Sequence, residues 1–112
     1  SVVETLRNVD FVLLVSEPTP FGVHDLKQMM GIVTEMGIPA GVIINREKSS
    51  FSPLEDLCSD FHVPILMHIP FDRQIAAGLA EGQSLIEINP NYSQRLQDVY
   101  HQTSSIIASK KE

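Results

Sequence analysis

Short apolar runs alternate with amphipathic stretches along the chain. Phe11-Val12-Leu13-Leu14-Val15 is a continuous apolar run, the pattern of a strand buried on both faces. Pro18, Pro20 and Gly22 break it. From Val23 to Met36 the apolar positions fall at Val23, Leu26, Met29, Met30, Val33 and Met36, which is helical spacing with one buried stripe, and Gly37 supplies the stop. A second strand follows at Ala40-Gly41-Val42-Ile43-Ile44. After a loop from Glu47 to Phe51, Ser52-Pro53-Leu54-Glu55 has the form of a capping box, opening a helix with Leu54, Leu57, Cys58 and Phe61 on one face. The third strand is predicted from Val63 to Ile69. Asp72 can cap the next helix, which shows Ile75, Ala76, Leu79 and Ala80 inward and ends at Gly82. Asn89-Pro90 starts a last helix, with Tyr92, Leu96, Val99, Thr103 and Ile106 at helical steps.

This alternation predicts an α/β fold: an open parallel sheet of three strands, near residues 10–16, 40–45 and 64–69, in sequential order with flanking helices on both faces. Residues 1–112 read as a single partial domain without internal repeats. The chain begins without Met on what looks like the end of a helix, Val2 to Leu6, so it is expected to be part of something longer. The first strand is the most apolar and is expected in the middle of a larger sheet, whose other strands precede residue 1. In the isolated chain that strand would have an open edge. Self-association through it is expected, in preference to cover by residues 84–88. The tail from Ser109 to Glu112 is expected to fray.

Composition narrows the function classes. A net charge of -6 and a pI near 5.1 argue against nucleic-acid binding, which wants a basic face. No apolar run approaches the about 18 residues of a membrane-spanning helix. The last helix has a Gln-rich polar face with little positive charge before Lys110, so it is expected on the sheet and not on a membrane. Ser1-Val2-Val3-Glu4 lacks the basic start of a secretory leader, so a cytoplasmic location is expected. The single cysteine, Cys58, excludes an internal disulfide and an iron–sulfur site made by this chain alone. It falls on an apolar helix face and is expected to be buried and inert. His24, His62, His68 and His101 share no zinc-like spacing.

Candidate chemistry gathers where apolar runs stop. Ile43-Ile44-Asn45-Arg46 and Ile69-Pro70-Phe71-Asp72 both end predicted strands, and in an open parallel sheet ligands bind at that carboxyl edge. The Asn45 carboxamide offers a donor and an acceptor together, which matches the N6/N7 edge of adenine; equally, Asn is a common first residue of a loop. Arg46 could stack on a base or stay solvated. Pro70 gives a rigid wall without a competing N–H. Asp72 can accept from an exocyclic amine or a ribose hydroxyl, can cap the following helix, or both. Glu17, Thr19 and Asp25 lie at the mouth of the first strand. There they could contact a partner, although Asp25 in a first helical turn would also favour the helix dipole. A signalling receiver shares the alternating pattern, but no acceptor Asp stands at the required strand end.

These residues resemble the MinD/ParA/Mrp group of deviant P-loop ATPases, and most closely the subgroup with an inserted ferredoxin-like domain. The resemblance runs from about Val3 to Ile86. It rests on Asp10 to Val15, Glu17-Pro18-Thr19-Pro20-Phe21-Gly22 with His24-Asp25-Leu26, Gly37-Ile38-Pro39, Ile44-Asn45-Arg46, Ile69-Pro70-Phe71-Asp72 and Gly82, in that order. It implies the C-terminal portion of a Rossmann-like P-loop domain. Asn45, Arg46, Pro70 and Asp72 would then hold the adenine of ATP or ADP, and Glu17, Thr19 and Asp25 would face a dimer partner. The family's phosphate loop with its lysines, its switch segments and its cysteine-rich insertion do not occur in this sequence. Magnesium-dependent ATP hydrolysis and a link to iron–sulfur proteins are therefore implied for a parent protein, with no tightly bound cofactor expected here. The partners implied are the N-terminal half of the same domain and a second copy. The isolated chain is expected to lack ATPase activity, because Lys27, Lys48, Lys110 and Lys111 have no glycine-rich context. The alternative is a non-catalytic α/β interaction or dimerisation module.

Overall fold

The computed structural model describes residues 8–47 and 53–111. The expected helical start at Val2–Leu6, the 48–51 part of the loop and the Ser52 cap lie outside these residues. In chain order the elements are β1 (Val12–Ser16), α1 (Pro20–Met36), β2 (Ala40–Glu47), α2 (Pro53–Asp60), β3 (Ile65–Pro70), α3 (Arg73–Ala80), α4 (Leu85–Ile88) and α5 (Tyr92–Lys111). The strands form one parallel sheet in the order β1-β2-β3. The predicted α/β class, parallel pairing and sequential order are therefore all present.

Two apolar clusters sit on opposite faces of the sheet. Val12 and Leu14 of β1 and Val42 and Ile44 of β2 pack with Leu26, Met30 and Val33 of α1 and Leu54 and Cys58 of α2. Ile43 of β2 and Met67 of β3 face the other way, onto Ile75 of α3 and Tyr92 and Val99 of α5. Side-chain alternation along β2 sends successive residues to opposite faces, so this strand is buried on both sides. In a sheet of sequential order, two crossovers on one face share the same hand. After β3 the chain passes to the other face.

Helix boundaries are set by caps. Thr19 accepts the Gly22 N–H (3.0 Å) and Pro20 occupies the first turn, so α1 begins three residues before the apolar stripe at Val23. The prolines that looked like strand breakers thus also start a helix. This places Asp25 beyond the first turn, where the helix dipole no longer explains it. Gly37 ends α1 in the left-handed region (φ 71°), and the Ile38 N–H closes the turn on the Val33 carbonyl at 2.9 Å. Ser84 and Glu87 form a reciprocal capping box on α4. α5 continues through Lys111 where fraying was expected.

The two sheet edges differ. At β3, the Arg95 guanidinium on α5 donates to the His68 carbonyl at 2.7 Å, and Pro70 ends the strand. β1 occupies the other edge of these three strands, as the sequential order requires, and among the described residues only one of its faces is covered. Leu13 is 44% exposed and Val15 62%. The predicted cover by helices on both faces holds for β2 but not for β1. Residues 84–88 do not shield it either, since Leu85 and Ile88 pack on the Ile43–Met67 cluster.

Gly22 is required where α1 meets β1. A Cβ at this position would strike the Glu17 carbonyl oxygen, and the Ser16 hydroxyl donates to the Gly22 carbonyl at 3.0 Å. Gly22→Ala should therefore destabilise the chain by about 1–3 kcal/mol, as overpacking does. Urea unfolding monitored by circular dichroism would read this. An unchanged midpoint would show that the turn yields freely.

Candidate functional site

The strand order and the face switch together create one crevice. The chain leaves β2 toward α2 on one face and leaves β3 toward α3 on the other. The helices α2 and α3 thus lie on opposite faces, and among the described residues the carboxyl ends of β2 and β3 border a crevice between them. This is the place where open α/β sheets bind ligands. A pocket of about 280 Å³ lies here, lined by Asn45, Arg46, Pro70, Phe71, Asp72, Ile75, Ala76 and Leu79.

All four residues proposed from sequence for base binding line this pocket. A β-bulge shapes its β2 side. Ile44 pairs with His68 and Glu47 with Pro70, so β2 carries one residue more than β3 between those pairs. Arg46 takes up the extra length in a left-handed conformation (φ 58°), uncommon for a residue with a side chain. Its N–H donates to the Asn45 Oδ1 at 2.9 Å. That bond fixes the half-buried carboxamide at the rim while leaving its NH2 group and a second lone pair on Oδ1 for a ligand. The Arg46 guanidinium lies 5.5 Å from the centroid of the Phe71 ring.

On the β3 side, Asp72 Oδ1 accepts the Gln74 N–H at 2.7 Å. The capping role is therefore present, and the same carboxylate borders the pocket. The floor comes from α3. Ile75 is buried, as is Gly78, but Leu79 is 50% exposed, and Ala76 and Ala80 are exposed as well. The inward stripe expected at Ile75, Ala76, Leu79 and Ala80 is thus wrong for three of its members. Ala76 and Leu79 face the pocket, where an apolar surface is left for a ligand to cover. Helical periodicity marks a face as apolar but does not say what lies against it. Phe71 was quoted in the sequence motif without a role, and the structure puts it in the pocket wall.

The three proposed interface residues gather at the end of β1. Glu17 and Asp25 line a second recess of about 210 Å³ with Val15 and the 82% exposed Phe21. The Thr19 hydroxyl is committed to capping α1. His24, His62 and His101 are exposed, and no metal-ligating cluster occurs among the described residues. No described helix is long and apolar enough to cross a membrane.

No family model matches the chain. An uncharacterized protein of Methanocaldococcus jannaschii is 35% identical over 89 residues, which are 80% of this chain and 30% of that protein. The chain therefore spans about 30% of the length of this relative.

Cys58 is 2% exposed, and burial, reinforced by the nearby Glu55 charge, pushes its thiol up from 9.0 to about 11. The neutral thiol should be unreactive toward iodoacetamide at pH 8 in the native chain and reactive in urea. Because the folded value is the higher one, this thiol's contribution is intact below pH 9 and is lost as pH rises to about 11. Rapid native-state alkylation at pH 8 would contradict this assignment.

Proposed function

We propose that this chain is the adenine-recognition and partner-contact portion of a nucleotide-dependent α/β protein of the MinD-like ATPase type. The observation that carries the reading is the convergence of Asn45, Arg46, Pro70 and Asp72 on one pocket at the face switch. The residues fit a purine. The Asn45 amide supplies a donor beside an acceptor, Pro70 forms a wall, and Ile75, Ala76 and Leu79 supply an apolar floor. Asp72 keeps one carboxylate oxygen for its helix; the other suits an amine or ribose hydroxyl and would repel a phosphate. Phosphoryl transfer from ATP, with its magnesium, would belong to a longer parent protein, as would any association with iron–sulfur proteins. The N-terminal half of the same domain would be this chain's first partner and a second copy its dimer mate.

Titration with AMP and GMP, followed by NMR amide shifts, tests the base site. The chain should prefer AMP. Asn45→Ala should weaken AMP binding about fivefold, the effect of losing hydrogen bonds worth ~1 kcal/mol net, and should remove the preference. Equal binding of both nucleotides by the native chain, or full selectivity in the variant, would exclude adenine readout by Asn45.

Among the described residues nothing pairs with the outer edge of β1, which favours a second reading, a non-catalytic interaction module. The Val12 N–H donates to Pro39 on the β2 side at 3.0 Å, so strand alternation turns the backbone groups of Leu13 and Val15 outward. Their exposed side chains extend the template. On this reading the chain self-associates through β1, and the Leu13 and Val15 amides exchange more slowly as concentration rises. Sedimentation at matched concentrations supplies the control. Fast exchange of both amides with a strictly monomeric boundary would rule the module out.

A further inference from the structure

We infer that Phe71 is a positioning residue for Arg46, and that the guanidinium it holds forms the stacking lid of the pocket. The inference rests on the base-binding reading and adds a mechanism to it. Arg46 is fixed at two points. Its backbone is held in the left-handed bulge by the 2.9 Å bond to the Asn45 side chain, and its guanidinium is held 5.5 Å from the Phe71 ring centroid. The two contacts come from the ends of different strands, so the pair spans the mouth of the crevice. Both residues line the same pocket as the Asn45 amide.

A guanidinium is planar and has two faces. In the proposed arrangement Phe71 supports one face, and the opposite face receives a second flat π system. A planar heteroaromatic base is the ligand class that uses this geometry, because it can stack on that face while its edge meets Asn45. Without the ring, the long arginine side chain would have to be ordered on binding, at a cost in rotamer freedom. Stacking is blind to base identity, since every base has a π face. The site thus divides its work. Asn45 reads the base edge, whereas the Phe71–Arg46 pair sets affinity for bases in general.

A double-mutant cycle with AMP and GMP, read by NMR amide shifts, tests this division. Arg46→Ala should weaken both nucleotides about fivefold and equally, leaving the ratio between them unchanged. Phe71→Ala should weaken both, Phe71→Tyr should restore binding, and Phe71→Ala added to Arg46→Ala should cost nothing further. In the nucleotide-free chain, relaxation of the Arg46 Nε–H should show faster motion in Phe71→Ala than in the native chain or Phe71→Tyr. Additive losses, an unchanged Arg46 signal, or Arg46→Ala altering the AMP/GMP ratio would overturn the lid while leaving the base site standing. Failure of the native chain to bind either nucleotide would overturn both.

Discussion

Burial of β2 on both faces is the constraint on which the rest of this structure depends. Val42 and Ile44 anchor the helices on one side, and Ile43 anchors those on the other. Burying side chains of this size is worth about 1.5–3 kcal/mol each, and a one-residue slip would exchange the two faces. The register is nonetheless irregular. Between the pairs Val42–Ile65 and Ile43–Met67, β3 carries the extra residue, and between Ile44–His68 and Glu47–Pro70, β2 does. The two irregularities offset one another, so both faces stay packed while the carboxyl end of β2 is re-aimed. The bulge that results puts Asn45 and Arg46 at the pocket.

The pocket itself follows from connectivity. Parallel strands need crossovers, and the face chosen for each decides where the strand ends stay uncovered. With α1 and α2 on one face and α3 to α5 on the other, the gap between β2 and β3 is, among the described residues, where a change of face meets neighbouring carboxyl ends. Neither residue motif could form a site alone. Asn45 brings hydrogen-bonding capacity without a floor, and the stretch from Pro70 to Asp72 brings a wall and the start of α3, which carries the floor.

The same sheet shows two ways of ending. β3 is terminated by Pro70, tied to α5 through Arg95 and packed by Met67 against Tyr92 and Val99. Among the described residues β1 has its backbone partner on one side only, and Leu13 and Val15 are exposed. Beside this edge lie Glu17 and Asp25 with the exposed Phe21, an apolar surface rimmed by negative charge.

Apolar runs and helical stripes in the sequence determined the α/β class, the strand order and the core members Leu26, Met30, Val33, Tyr92 and Val99, because these depend on local periodicity. It also determined the caps at Asp72 and Gly37, which are single-residue chemistry. The Ser84-Leu85-Ile86-Glu87 capping box carries its signal in its spacing as well. Apolar content alone did not reveal that Leu13 and Val15 stay exposed in this chain, since an apolar edge strand and an apolar central strand are spelled alike. It misread Ala76, Leu79 and Ala80, because a stripe does not name its neighbour. Only the tertiary structure decided the β2 bulge, the left-handed Arg46, its contact with Phe71 and the meeting of two strand ends distant in sequence. Those features arise from pairing register and crossover side, which are settled by packing between elements and leave no periodic trace within any one of them.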